Sequence, residues 1–239
     1  GRQRIGPHSV VVATGGARGI TAAGLGLLAR RYRPRLVLLG RTELSTDEPP
    51  AAYDDTDEAT LLRLLAAHRP GTPAELAARA RRVRAIREVR GTLAGFERDG
   101  VPVRYVPVDV RDADAVAGAL DAVRRDWGPV TAVVHGAGVV ADARLTDKTD
   151  EQVATVFGTK VDGLRAVLAA VADDPVEVLC AFSSVAAVFG NAGQADYAMA
   201  NETLNQVLAA ERARRPDCLV RAVAWGPWNG GMVTPTVAG

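Results

Sequence analysis

Two serines, a tyrosine and an asparagine within nineteen residues carry the most chemistry in this chain: Ser183, Ser184, Tyr197 and Asn201. The apolar run Val176 to Phe182 reads as a buried strand, and it ends on the two serines. A glycine-containing turn follows, then a helix starting near Ala195. Tyr197 and Asn201 stand four residues apart, so they share one helical face. A hydroxyl at a strand's carboxyl end and a phenol on the next helix can point into one cleft. Such a pair can hold a carbonyl oxygen and hand it a proton.

The elements that must build this cleft start at the amino terminus. Ser9 to Ala13 is a short β-branched run suited to a buried parallel strand. Thr14, Gly15, Gly16, Ala17, Arg18, Gly19 and Ile20 form a glycine turn, and Thr21 to Arg30 reads as a helix. In that context Gly15 and Gly16 permit a tight turn close to a pyrophosphate. Gly19 would let the helix pack near the strand, with its amino terminus facing the phosphates. Leu36 to Leu39 closes a βαβ unit. A carboxylate after this second strand would accept the ribose 2′-hydroxyl of NAD; Gly40-Arg41 stands there instead. A guanidinium suits a 2′-phosphate, and Arg18 adds a second positive charge, so NADPH is the expected cofactor.

Residues 42–100 exceed an ordinary crossover and read as a helical insertion rather than a second domain. Asp57 to His68 is a short helix. Thr72-Pro73-Ala74-Glu75 is a capping box that opens a long one ending at Gly100. Leu76, Ala80, Val83, Ile86, Leu93 and Phe96 mark its buried face. Six arginines between Arg79 and Arg90 read as a solvated face in preference to a docking patch for an acidic partner.

Val103 to Asp109 is the third strand. Asp109, next to Val110, is placed to accept from an adenine amino group. Asp112 to Trp127 is a helix, and Thr131 to His135 is the fourth strand, leading into Gly136, Ala137 and Gly138. These small residues let the chain pass close to a ribose or nicotinamide. His135 reads as a strand-stabilising residue rather than a general base. Asp150 to Ala172 reads as one continuous helix carrying Lys160.

Length and composition bound the rest. The chain of 239 residues fits one large α/β domain, and its net charge of +1 provides no field for nucleic acid. No apolar run approaches a membrane span, and no signal-peptide core is present. Cys180 and Cys218 sit in or beside buried strands as small hydrophobes of a reducing, cytoplasmic compartment. No Cys, His and carboxylate cluster has metal-ligand spacing. The two termini read as cut ends, which predicts a piece of a longer polypeptide.

These motifs together resemble the short-chain dehydrogenase/reductase superfamily, and within it the β-ketoacyl reductase domains of polyketide and polyunsaturated-fatty-acid synthases. The resemblance spans Thr14 to Ile20, Gly40-Arg41, Asp109-Val110, His135 to Gly138, Lys160 to Gly163, Phe182 to Ser184, Tyr197 to Asn201 and Trp225 to Trp228. Most free-standing members place lysine four residues after the tyrosine. Here Asn201 stands there and a lysine appears earlier, at Lys160, an exchange that synthase ketoreductases share. The resemblance implies an α/β fold, a Rossmann-type doubly wound parallel sheet with helices on both faces. It also implies NADPH-dependent reduction of a β-ketoacyl thioester carried by the phosphopantetheine of an acyl carrier protein, beside other synthase domains. Tyr197 would be the general acid, with Lys160 lowering its pKa and binding the nicotinamide ribose. Ser184 would stabilise the oxyanion, and Asn201 would orient Lys160 and a water. Thr21 departs from the family pattern, standing where many relatives have a third glycine. Asp142, with Phe189 in place of a tryptophan, leans towards the 3R alcohol. Trp228 and Met232 are expected on the substrate side.

Overall fold

The computed structural model describes residues 3–227. Trp228 and Met232 lie outside them. Six parallel strands form one sheet: β1 (Val10–Thr14), β2 (Arg35–Gly40), β3 (Val103–Pro107), β4 (Ala132–His135), β5 (Val178–Ser184) and β6 (Leu219–Trp225), in the order β3-β2-β1-β4-β5-β6. Every residue of β1 and β4 is buried, which is why these strands read as unbroken apolar runs. The bounds of β6 are not marked in the sequence. Among the described residues it is a sheet edge, half exposed, with Arg221 near its middle, so it lacks the unbroken burial of β1 and β4.

Helices cover both faces. They are α1 (Gly19–Tyr32), α2 (Glu58–His68), α3 (Pro73–Arg98), α4 (Ala113–Trp127), α5 (Asp150–Phe157), α6 (Gly163–Ala170), α7 (Ala186–Phe189) and α8 (Ala195–Arg214). One core joins Val12, Val37, Val133 and Leu179 to Leu120, Leu164 and Leu204. The other joins Val11, Leu36 and Leu38 to Leu25, Val89 and Phe96. The strand order reverses direction between β1 and β4. In such sheets the two crossovers leave in opposite directions there, opening a crevice at the strands' carboxyl ends.

The insertion is built from α2 and α3. Thr72 and Glu75 cap α3 reciprocally, as their spacing predicts. Ala52, Leu61, Leu65, Ala80 and Val83 form a small core of their own, while Val89 and Phe96 further along α3 pack on the main sheet. The α3 arginines are not simply a solvated face. Arg79 pairs with the nearly buried Glu48, Arg84 with Glu58 at 3.0 Å, and Arg87 donates to the carbonyls of Ala52 and Thr56. Arg90 donates to Leu44 O and lies 4.4 Å from the Tyr53 ring centroid. They fasten the polar loop 42–57, which has little apolar surface to bury, onto the helix.

The helix expected over Asp150 to Ala172 is interrupted. Residues Gly158–Asp162 form a π-helical turn between α5 and α6, and Lys160 stands within it. The wider turn re-aims one side chain without ending the helix, a device found mostly at functional sites.

Candidate active site

The cleft at the carboxyl ends of β1, β4 and β5 has a volume of about 1550 Å³. Its floor begins at the glycine turn. Gly15 has φ +66°, and a Cβ there would stand 2.9 Å from Gly136 O, so only glycine lets β1 and β4 end side by side. The packing role expected of Gly19 belongs to Gly16: a Cβ on Gly16 would meet Leu25 at 2.8 Å, whereas one on Gly19 would meet nothing. Thr21 fills the space that Gly136 leaves, its Oγ1 standing where a Gly136 Cβ would be.

Thr14 and His135 are fully buried behind this floor. His135 Nδ1 shares a hydrogen bond with Thr14 Oγ1 at 2.9 Å, and its Nε2 pairs with Lys160 O at 2.9 Å. Ala137 N donates to Thr14 Oγ1 at 3.1 Å. Burial, reinforced by the Lys160 charge, drives the His135 pKa down to about 3, so the imidazole is neutral near pH 7. It ties β1, β4 and the π-helical turn together, the strand-stabilising role expected of it.

Lys160 is 3% exposed, and its Nζ donates to Phe182 O at 2.7 Å. A Cβ on Gly138 would press on Lys160 Cε at 3.1 Å, so the missing side chain makes room for the lysine. Burial lowers the Lys160 pKa to about 8. Its Nζ lies 5.6 Å from the centroid of the Tyr197 ring. Burial raises the Tyr197 phenol above its ordinary value, against the opposing pull of Asn201 and Ser184; the charge of Asp142 raises it further. Desolvation, rather than the Lys160 ammonium, sets the direction of the Tyr197 shift.

Ser184 closes β5, with its Oγ accepting from Ala186 N at 3.1 Å. Asn201 is fully buried. Its Nδ2 donates to Tyr197 O at 2.8 Å, and its Oδ1 has no hydrogen-bond partner. An orphaned buried acceptor on the residue bonded to Tyr197 O is a place for a water. The structure thus gathers Lys160, Ser184, Tyr197 and Asn201 at one end of the sheet.

Gly15, Arg18, Gly19, Ile20, Arg41, Val110, Gly136, Ala137 and Gly138 line the same cleft. The Asp109 carboxylate is held by Arg111 at 2.6 Å, which keeps its pKa below the usual range. The donors at the turn suit an anion, for Arg18 Nε and Gly19 N–H already hold the carboxylate of Glu88, at 2.6 and 2.9 Å. The residues present therefore fit a dinucleotide phosphate.

On the opposite side, Gln194 Nε2 donates to both oxygens of Asp142 at 3.1 Å, while Phe189 is 84% exposed. Lys148 and Asp196 form an ion pair of 2.8 Å, with side chains 3% and 2% exposed. The pair pins the loop after β4 to the start of α8, one residue before Tyr197. Sequence reasoning missed Glu88, Lys148, Gln194 and Asp196. Asp196 and Gln194 adjoin the tyrosine, but nothing in their spacing announces partners about fifty residues away.

The KR domain family matches residues 9–230. The chain belongs to the ketoreductase domains. Over 98% of its length it is 35% identical to a polyunsaturated fatty acid synthase polypeptide of Thraustochytrium sp., of which it spans 9%. Over 59% of its length it is 40% identical to polyketide synthase GfsA of Streptomyces halstedii, of which it spans 2%. A ketoreductase domain from the bacillaene assembly line superposes with a TM-score of 0.73 at 26% identity, covering 98% of this chain and 48% of that one. The ketoreductase from the first module of phoslactomycin biosynthesis in Streptomyces sp. HK803 does so at 0.70 and 29%, over 95% and 43%. This ketoreductase domain spans less than a tenth of each of these two synthases.

Proposed function

We propose that this ketoreductase domain uses NADPH to reduce a β-ketoacyl thioester, presented on the phosphopantetheine of an acyl carrier protein, to the β-hydroxyacyl thioester. The observation that carries the reading is that Lys160, Ser184 and Tyr197 line one cleft, with Asn201 buried behind Tyr197, beside a glycine turn whose donors hold an anion. Arg18, Gly19, Ile20 and Arg41 would hold the phosphates, Asp109 and Val110 the adenine, and Gly136 to Gly138 with Lys160 the nicotinamide ribose. The bound cofactor supplies a hydride to the ketone carbon.

The chain's own residues handle the oxygen. A phenol raised by burial stays protonated near pH 7, which is the state a proton donor needs, so Tyr197 gives its proton to the oxygen as charge develops there. The Lys160 ammonium stabilises the phenolate left behind. Ser184 Oγ donates to the developing oxyanion. A water on Asn201 Oδ1 would return a proton to Tyr197. Asp142, held by Gln194, and the outward Phe189 favour the 3R alcohol. The neighbours in this reading are synthase domains of the same polypeptide, in the cytoplasm. Among the described residues no helix is long and apolar enough to cross a membrane.

The test is nucleotide oxidation by this chain with a β-ketoacyl thioester surrogate, with NADPH beside NADH and chiral analysis of the product. Turnover with NADPH and little with NADH is expected. Tight NADPH binding without turnover would favour a structural, inert domain instead.

A further inference from the structure

The glycine turn is covered on its outer side by a carboxylate from the insertion. Glu88, midway along α3, accepts from Arg18 Nε on Oε2 at 2.6 Å and from Gly19 N–H on Oε1 at 2.9 Å. Seventy residues separate Glu88 from Arg18, so no local chain geometry imposes the contact; it exists because α3 brings this carboxylate to the amino terminus of α1. Glu88 also lines the same cleft as Arg18, Arg41 and Arg82. These three guanidiniums make that end of the cleft the one suited to a phosphate that is not part of the pyrophosphate.

A carboxylate and a phosphate oxygen seek the same donors, and both are favoured at a helix amino terminus. They cannot occupy those donors together without like-charge repulsion. The Arg18 and Glu88 side chains are 50% and 43% exposed, so this ion pair is of the weak, exchangeable kind. The buried Lys148–Asp196 pair is of the opposite, structural kind.

We propose that Glu88 is a cofactor-specificity residue, a resident anion that the 2′-phosphate of NADPH must displace from Arg18. This rests on the NADPH reading above. NADH has no such phosphate and leaves the Glu88–Arg18 contact in place. NADPH binds against the loss of that contact and the repulsion of the displaced carboxylate. Glu88 therefore moderates the preference for NADPH over NADH, and the helical insertion becomes part of the cofactor site. NADP⁺ carries the same phosphate, so release of the oxidised cofactor is eased by the same contact.

Fluorescence titration of the wild-type chain and of Glu88→Gln with NADPH and with NADH tests this. Glutamine keeps the size of the side chain and removes its charge at an exposed position. The ratio of the NADH Kd to the NADPH Kd is expected to rise by about 1.5-fold to fivefold in the variant, the scale of one exposed ion pair. An unchanged or smaller ratio overturns the proposal. Equal tightening of both nucleotides also overturns it, since that would set Glu88 against the shared pyrophosphate. A wild type that binds neither nucleotide removes the NADPH reading and this inference with it. A wild type that prefers NADPH, beside a variant with the same ratio, refutes the role of Glu88 alone.

Discussion

Replacing Lys160 should make the cofactor-free domain more stable while, on the proposed reading, destroying its activity. Lys160 is 3% exposed, and burial lowers its pKa from 10.5 to about 8. That difference corresponds to roughly 3 kcal/mol by which the folded state disfavours the ammonium over the amine. Lys160→Met keeps the unbranched stem and removes the charge, but it also removes the bond to Phe182 O. A carbonyl left without a partner costs about 1–3 kcal/mol, so the net gain at pH 7 reaches at most about 2 kcal/mol. The pH dependence follows from the sign of the shift. The folded pKa lies below the unfolded one, so between about pH 8 and 10.5 the unfolded chain binds more protons and wild-type stability rises with pH. The variant has nothing to titrate there, and its advantage should shrink across that window. The chain has only one other lysine, Lys148, present in both proteins, and the tyrosines and cysteines cancel in the comparison. Urea unfolding of both proteins at pH 7 and near pH 10, with turnover measured at pH 7, makes the check. A variant less stable than wild type at pH 7, or a gap that does not change with pH, would refute the claim that Lys160 is held charged at a cost.

Tyr197→Phe removes the proposed proton donor but no packing. Turnover should fall by at least about 10²–10⁴-fold with the NADPH Kd little changed, and wild-type-like turnover would sink the assignment. Asp196→Ala leaves Lys148 buried without its partner and should cost about 3–5 kcal/mol in denaturant unfolding. Adding Lys148→Met should recover much of that loss, and no recovery would mean that the pair does not act as a unit. Gly15→Ala puts a side chain on a left-handed backbone and against Gly136 O. It should cost at least about 1–2 kcal/mol and abolish nucleotide binding; near-wild-type affinity in a titration would show that the turn is not the phosphate cradle.

The parts of the fold legible in the sequence are those in which burial is uniform. β1, β2 and β4 are mostly buried strands, and their apolar runs announce themselves without partners, as does the apolar run of β5, where buried and half-buried residues alternate. The α3 start is equally plain, because a capping box is satisfied within four residues. β6 is hard to bound, because an edge strand with Arg221 near its centre carries neither a continuous run nor a clean alternation. The π-helical turn is illegible for a different reason. Gly158 to Asp162 suits an ordinary helix in composition, and the extra residue is stabilised by tertiary contacts such as the one between Lys160 O and His135.

The same division runs through the site. Lys160, Ser184, Tyr197 and Asn201 can be assembled because sequence places each on an element whose position in a doubly wound sheet is set by topology. What surrounds them cannot, because Gln194 reaches Asp142 across 52 residues and Glu88 reaches Arg18 across 70. These are polar contacts between loop or helix-surface residues, where composition is permissive and no periodicity records the partner. The chemistry of the group also changes with its surroundings. A lysine near a tyrosine suggests a lowered phenol pKa, yet with Lys160 turned to Phe182 O, desolvation of Tyr197 prevails. Burial of the lysine and burial of the tyrosine push their pKa values in opposite directions, the lysine down and the phenol up. Both groups are thereby held closer to their neutral forms. With its pKa near 8, Lys160 is still largely an ammonium at pH 7, while the raised phenol is neutral. In the proposed reaction the phenol is thus a protonated donor near pH 7, and the Lys160 ammonium is the charge already in place for the phenolate it leaves.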